Sequence, residues 1–442
     1  MSTPTLSLSV GMFRTCFAQL ISPGKVEALS QQHRASAAGA PATISAFGVV
    51  AGLVFHVLQT SGLLSTHVRQ VAGRKASDSA LSERRQGMGM ALFQALLDLA
   101  LGRIAQAATH PRAFYKGFLL TGIDGSNWSV SNTPPIKARA KKARSRRQAA
   151  AFHKLSMAAI YELGTHNPLA VRIGASGESE MQLVTPLLPL LRQDWLLIAD
   201  RYYGIAKFVL SLLALPTPVH FLLRVRKNLK SKAIQRLRDG SCLVQIRDNT
   251  SKQSILLREI HARVRRRSGQ WITIRLWTNL LDPKRCPAAE LVALYGMRWE
   301  QEIAYKELKI NLRRSPLLLS HTLVTAAQEV ACLVLAQAIV ARTRLAAAGQ
   351  HTPVLQISFV RTLDLCRSLW SLTPLLTDML PAKSIPLLCH RILLHLAQQA
   401  SPPRRARSCP RALRQPVSKW PRLLRNSSTC GAFQFRITRT PA

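Results

Sequence analysis

The stretch 295–309, Tyr-Gly-Met-Arg-Trp-Glu-Gln-Glu-Ile-Ala-Tyr-Lys-Glu-Leu-Lys, spaces a carboxylate between cations and a phenol. Read as one helix of 3.6 residues per turn, it gathers Tyr295, Arg298, Glu302 and Lys309 into a sector of roughly 60°. Glu300 and Glu307 fall on the opposite side. A glutamate held among cations suits phosphate chemistry. The same spacing suits a solvated helix with Arg298–Glu302 and Glu302–Lys306 as ordinary i,i+4 pairs, so spacing alone leaves both readings open.

Two aspartates extend the chemical reading. Asp124 ends the apolar run Gly117–Ile123, and Asp200 follows the fully apolar Trp195–Ala199. Cleaving and rejoining a phosphodiester takes an in-line nucleophile and stabilisation of the leaving oxygen, which two hard cations about 4 Å apart can supply. Magnesium takes oxygen ligands, so carboxylates must converge on one point. Only 21 Asp and Glu are available. Adjacent parallel strands ending in Asp124 and Asp200 would bring two of them together, although an Asp before a Gly also reads as a turn former.

The elements that would position these side chains follow from periodicity. Residues 1–112 read as a helical region, with a capped helix start at Asp78–Arg85 and helical spacing over Leu92–Leu101. Strands are expected at 117–124, Met157–Leu163, Leu169–Ile173, Trp195–Ala199 and Val219–Val225, and a helix at 204–214. Glu178–Leu191 carries an amphipathic pattern that Pro186 and Pro189 should kink or shorten. Residues 226–281 read as a β-rich insertion: Leu243–Ile246, Ser254–Ile260 and Trp271–Trp277 are split by Asp-Gly, Asp-Asn and Ser-Gly turns. From Pro287 to about 400 the chain reads as helical. Residues 113–400 thus form a mixed α/β unit with C-terminal helices, and 401–442 a basic tail with ten Lys or Arg and no acid.

Composition narrows the partner. With 61 Lys and Arg in 442 residues, the formal net charge is +40, and a polyanion that neutralises it is the expected partner. The cluster Lys137–Arg147 holds seven of these cations in eleven positions. A membrane is the weaker partner. Phe47–Leu64 is broken by His56, Gln59 and Thr60, and Val330–Val340, between Glu329 and Arg342, is too short to span a bilayer. The N-terminus does not read as a signal peptide. Eight scattered cysteines with no C-x-x-C pair argue against a zinc site or a disulfide framework, and for a reducing compartment.

Tyr295, Arg298, Glu302 and Lys309 match at every defined position the tyrosine–arginine–glutamate–lysine signature of bacterial transposases of the insertion-sequence-four family, which the chain resembles. Asp124-Gly125-Ser126 and Ile198-Ala199-Asp200-Arg201-Tyr202-Tyr203 resemble that family's two aspartate motifs, with Ser126 where threonine is common. The resemblance implies a ribonuclease H-like catalytic core in which Asp124, Asp200 and Glu302 hold two Mg²⁺ ions, Mn²⁺ substituting. It implies that residues 226–281 are the insertion between the second aspartate and the glutamate. Tyr295, Arg298 and Lys309 would contact DNA, and Trp271 or Trp277 would stack on a flipped base. The implied activity is cleavage and strand transfer at the inverted repeats of the element itself, through a hairpin. The implied actor is a homodimer in a synaptic complex, in the bacterial cytoplasm on nucleoid DNA. Three rivals remain at this level: a relic that binds DNA without cutting, a ribonuclease H-like nuclease without strand transfer, and a basic structural protein.

Overall fold

The computed structural model describes residues 13–33, 44–139, 150–174, 177–226, 228–265, 271–313, 315–350, 352–379, 381 and 384–402. The basic tail beyond 402, and positions 140–147 of the basic cluster, lie outside them. Five helices come first: α1 (Phe13–Leu20), α2 (Pro23–Gln32), α3 (Ala46–Leu58), α4 (Leu64–Ala72) and α5 (Asp78–Ala100). The expected capped start is α5, where the Ser77 side chain accepts from the Ala80 amide at 3.2 Å.

Strands β1 (Phe114–Tyr115) and β2 (Phe118–Val130) follow, then a short α6 (Pro134–Arg139). Next come β3 (His153–Glu162), β4 (Pro168–Gly174), α7 (Glu180–Val184), β5 (Trp195–Ala199), α8 (Ala206–Leu213) and β6 (His220–Arg224). The segment 226–281 contributes β7 (Lys232–Arg236), β8 (Cys242–Arg247), β9 (Ser254–Arg265) and β10 (Trp271–Thr278). The helices α9 (Ala288–Tyr295), α10 (Arg298–Lys306), α11 (Leu323–Ala348), α12 (Phe359–Met379) and α13 (Ser384–Gln398) complete the order.

Among the described residues all the strands form one sheet in the order β4-β3-β2-β5-β6-β10-β9-β8-β7, with β1 against the start of β2. Strands β2, β5 and β6 run parallel, and β3 and β4 return antiparallel. The β-rich segment is thus a continuation of the central sheet, joined where β10 pairs antiparallel with β6. Strand β7 was not expected, because Lys-Ala-Ile-Gln-Arg is exposed at every position and buries no alternating face.

Alternation along β5 divides the core. Leu197 and Ala199 face a cluster with Leu183, Leu187, Phe208 and Val209 from 183–190 and α8. Leu196 and Ile198 face Leu291 and Tyr295 of α9. Beyond it, Trp128, Leu155 and Met157 pack with α3, α5, α10 and α11. Helices on both faces account for the run of five buried apolar residues in β5. Pro186 and Pro189 act as expected: α7 stops at Val184 and a 3₁₀ segment continues over Thr185–Leu190.

Three expectations need correction. Asp124 does not end its strand; β2 runs six residues further on its β3 side, since Trp128 and Val130 are fully buried. The stretch 295–309 is not one α-helix; α9 ends at Tyr295, α10 starts at Arg298, and residues Glu307–Leu312 form a π-helical turn. The apolar run Val330–Val340 does not stop at its charged flanks but belongs to the 26-residue α11, long and apolar enough by length and composition to cross a membrane. Its most apolar window is 89% buried inside the fold. The flanking charges are satisfied there: Glu329 accepts from Ser320 Oγ at 2.7 Å and Arg342 donates to the Ala100 carbonyl at 3.1 Å.

Gly204, closing the loop after Asp200, lies so near β6 that a Cβ there would fall 1.9 Å from the Arg224 carbonyl oxygen. The obstacle is backbone, so a rotamer change gives no relief. Gly204→Ala is expected to lower stability by about 1–3 kcal/mol or more in urea titration. An unchanged midpoint and slope would show that the approach of this loop to β6 is not constrained.

Candidate active site

Strands β2 and β5 pair in parallel from Leu119↔Trp195 to Gly122↔Ile198 and no further, while β2 stays paired with β3 to Val130↔His153. Asp124 and Asp200 stand two residues past that last parallel pair, where a crevice opens beyond the carboxyl end of β5. Each carboxylate is oriented locally. Asp124 Oδ1 accepts from the Gly125 amide at 2.9 Å, and Asp200 Oδ1 from the Tyr202 amide at 2.7 Å. Burial raises the Asp124 pKa to about 7, helped by the negative charges of Glu180 and Asp200; the Gly125 amide and Arg298 oppose the rise.

Glu180, in the first turn of α7, is the carboxylate that sequence reasoning missed. Its Oε1 accepts from Tyr203 Oη at 2.5 Å. A Cβ on Gly125 would fall 2.3 Å from Glu180 Cδ, so this glycine leaves the carboxylate its room beside Asp124. Burial raises its pKa, the Tyr203 hydroxyl lowers it and the charge of Asp200 raises it. The readable signal was the capping box Ser179–Gln182, which fixes the helix start and so places Glu180 facing the strand ends.

Helix α10 brings Arg298 near the same crevice, where its charge lowers the Asp124 pKa. Arg298 Nη2 donates to Glu302 Oε1 at 2.7 Å, and Asp200 and Tyr295 also favour its positive charge against the cost of burial. The Glu302 side chain is 42% exposed. Tyr295, though on the preceding helix, remains buried beside Arg298 and Arg224; burial raises its pKa to about 12. The π turn brings Lys309 onto β2, where it donates to Ser126 Oγ at 3.0 Å and the Asn127 carbonyl at 2.7 Å. Burial is the first cause lowering the Lys309 pKa, to about 8, followed by the nearby Arg313. Its ammonium is therefore a tether to the strand bearing Asp124. Tyr305 adds a second tether, donating to the Asp124 carbonyl at 2.6 Å.

The opposite side of α10 is not solvated. Glu300 and Glu307 both reach the buried His166 ring, at 2.8 Å from Nε2 and 2.9 Å from Nδ1, and Arg344 lies 3.2 Å from Glu307. Ion pairs so enclosed fix geometry more than they add stability. They set the rotation of the helix that presents Glu302.

The tryptophan candidates fare differently. Trp277 is fully buried and its indole donates to Glu259 Oε2 at 2.7 Å, so it offers no face for stacking. Trp271 begins β10 opposite Arg265, but its side chain lies outside the described residues. Trp299, which the sequence reading passed over, is 58% exposed beneath the Arg298 guanidinium at 5.0 Å. A cleft of about 910 Å³ leads from Asp200 past Arg201, Tyr202, Arg224 and Arg226.

Asp124, Asp200 and Glu180 offer only carboxylate oxygens, the donor type hard cations take, and the charges of Glu180 and Asp200 add to the burial that raises the Asp124 pKa. Among the described residues, no three such side chains converge closely enough to hold a metal ion. Glu302 stays on Arg298.

Residues 118–336 match the family model described as "Transposase DDE domain". That segment, just under half of the chain, is a DDE transposase domain. It is 27% identical over 245 residues to the transposase InsG for insertion sequence element IS4 of Escherichia coli (strain K12). That match covers 54% of this chain and 55% of the relative, so the alignment spans about half the length of each. Among solved structures the chain is similar to the cryo-EM structure of a piggyBac transposase synaptic complex with hairpin DNA, at 11% identity and a TM-score of 0.38. That match covers 86% of this chain and 85% of the other. The matched family segment takes in Asp124, Glu180, Asp200, Arg298 and Glu302.

The His166 cluster gives a pH test. Burial opposes its charge, yet Glu307 and Glu300 prevail and raise its pKa above 6.5. A raised folded-state pKa contributes stability that is present below the unfolded value and lost as pH rises through the folded one. The melting temperature of wild type relative to His166→Gln should therefore be greatest below pH 6.5 and shrink as the pH is raised. A difference that grows with pH would contradict the charged assignment.

Proposed function

We propose that this chain is a transposase that cleaves DNA at the ends of its own insertion sequence and joins the freed 3′ ends to a target, acting on a ribonuclease H-like core as a homodimer that holds both ends. The observation that carries the reading is the pair Asp124 and Asp200 at the point where β2 and β5 part, with Arg298, paired to Glu302, near enough to feel the charge of Asp200. The strand order β4-β3-β2-β5-β6, antiparallel then parallel, supports the ribonuclease H-like assignment. The charge of +40 supports DNA as partner in the nucleoid.

On this reading Asp124, Asp200 and Glu302 would hold two Mg²⁺ ions, with Mn²⁺ as substitute; when bound, the ions activate the attacking oxygen and stabilise the leaving one. The residues of the chain position the rest. Gly125 and Tyr202 amides aim the two aspartates. Lys309 and Tyr305 fix the strand and the helix against each other. Arg298, held by Glu302 beside Asp200, is placed to offset phosphate charge. Arg201, Arg224 and Arg226 line the approach for the strand.

Labelled duplex carrying the element ends tests the assignment. Asp124→Asn, Asp200→Asn and Glu302→Gln should each reduce Mg²⁺- or Mn²⁺-dependent cutting on the order of 10³-fold or more, while still binding the ends. Cutting that survives Glu302→Gln would remove that residue from the triad, and binding without cutting by wild type would make the chain a DNA-binding relic.

The cleft arginines have a separate signature. Arg224→Ala or Arg226→Ala should weaken binding to all sequences alike and reduce the slope of log affinity against log salt by about 1. A sequence-selective loss with an unchanged slope would assign them to base reading.

A further inference from the structure

The cleft that leads from Asp200 is lined from the β-rich segment as well, by His261 of β9 and by Thr273 and Arg275 of β10. The His261 side chain is 56% exposed, yet its ring is held in place. Nε2 pairs with Oε1 of Glu259, two residues earlier on the same face of β9, and that carboxylate is buried. Building on the DNA-binding reading above, we infer that His261 is a phosphate-contacting residue of this cleft, which donates from protonated Nδ1 to a phosphodiester oxygen of the bound strand.

Two observations support this role over that of a solvated surface histidine. The first is the carboxylate behind the ring. Burial favours the neutral acid at Glu259, but bonds from Arg275, His261, Trp277 and Ser231 hold its pKa down to about 2. Arg275 Nη2, Trp277 Nε1 and Ser231 Oγ donate to its Oε2 at 2.7, 2.7 and 2.9 Å. A charge so fixed obliges Nε2 to carry a hydrogen, and so sets the tautomer of the ring. In the neutral ring Nδ1 is then a lone pair, which repels a phosphate; in the protonated ring it is a donor. The second is the charge around the ring. Arg275 stands opposite His261 in the ladder, and Arg263 follows on β9. Arg201, Arg224 and Arg226 line the cleft with Asp200. In the free protein these cations oppose a charge on the ring, while Glu259 and Asp200 favour it. A phosphate among them offsets the cations and accepts the bond, so DNA and a proton arrive together.

Fluorescence anisotropy of a labelled duplex carrying the element ends, with the full-length chain and no divalent metal, reads the contact apart from catalysis. His261→Gln should match wild type at about pH 8 and bind about 10-fold more weakly at about pH 5.5, on either side of the ordinary histidine pKa. Other histidines titrate in both chains and cancel in the comparison. At the lower pH alone, the slope of log affinity against log salt should fall by about 1 in the variant. His261→Arg carries a cation at every pH and should restore the affinity lost at low pH. The ring is exposed, so both substitutions leave the core intact, which circular dichroism melting verifies. Equal affinities of wild type and His261→Gln across the range would overturn the inference, as would a difference that does not change with pH. Arg224→Ala tells that failure from failure of the cleft: if it too binds like wild type, the strand does not run here and the inference falls with the cleft reading.

Discussion

The separation of β2 from β5 is the constraint on which the rest of this molecule depends. Parallel hydrogen bonding stops at Gly122↔Ile198, yet β2 continues on its other edge for eight more residues against β3. A strand held on one side only keeps its direction while its other edge opens. Asp124 sits at that opening, and the end of β5 sets Asp200 beside it. The loop after Asp200 must then turn back tightly, which is why Gly204 touches the Arg224 carbonyl. Burial in this crevice is the first cause raising the Asp124 pKa, and the negative charges of Glu180 and Asp200 add to it.

Holding such a crevice open requires rigid support from both sides of the sheet. On one side α11, nearly all buried, is the pillar against which α3, α5 and α10 pack. Gln337 of α11 accepts from Tyr161 Oη at 2.7 Å and donates to the Ala304 carbonyl at 2.9 Å, linking β3, α11 and α10 in one chain of contacts. His166, Glu300, Glu307 and Arg344 then fix the rotation of α10. On the other side, α7 brings Glu180 to the strand ends. The glutamates of this segment have different partners: Glu302 pairs with Arg298, whereas Glu300 of α10 and Glu307 of the π turn reach His166.

The sequence made visible the parts whose physics is local. The strands Trp195–Ala199 and Leu169–Ile173, the capped start at Asp78 and the interruption by Pro186 all depend on neighbours in the chain. So did the opposition of Glu302 to Glu300 and Glu307, because it follows from helical period over a single turn and a half. The period failed at both ends of the same stretch. Tyr295 closes the preceding helix, and the π turn at 307–312 alters the angular position of Lys309. Trp277 was a candidate for stacking only through the family resemblance; in the fold its indole belongs to the Glu259 cluster.

By itself, the sequence determined the chemistry on offer: few acids in a strongly basic chain, two aspartates after apolar runs, and a glutamate among cations at helical spacing. It also determined the α/β character of the core, because alternation and period are written residue by residue. Tertiary structure decided which groups meet. Glu180 and Gly125 lie 55 positions apart, and His166 and Glu300 lie 134 apart, so neither contact has a local signature. Tertiary structure also joined the β-rich segment 226–281 to the central sheet through β6 and β10. Strand pairing is a choice among edges, made by the packing of the whole chain and not by the pattern within any one strand.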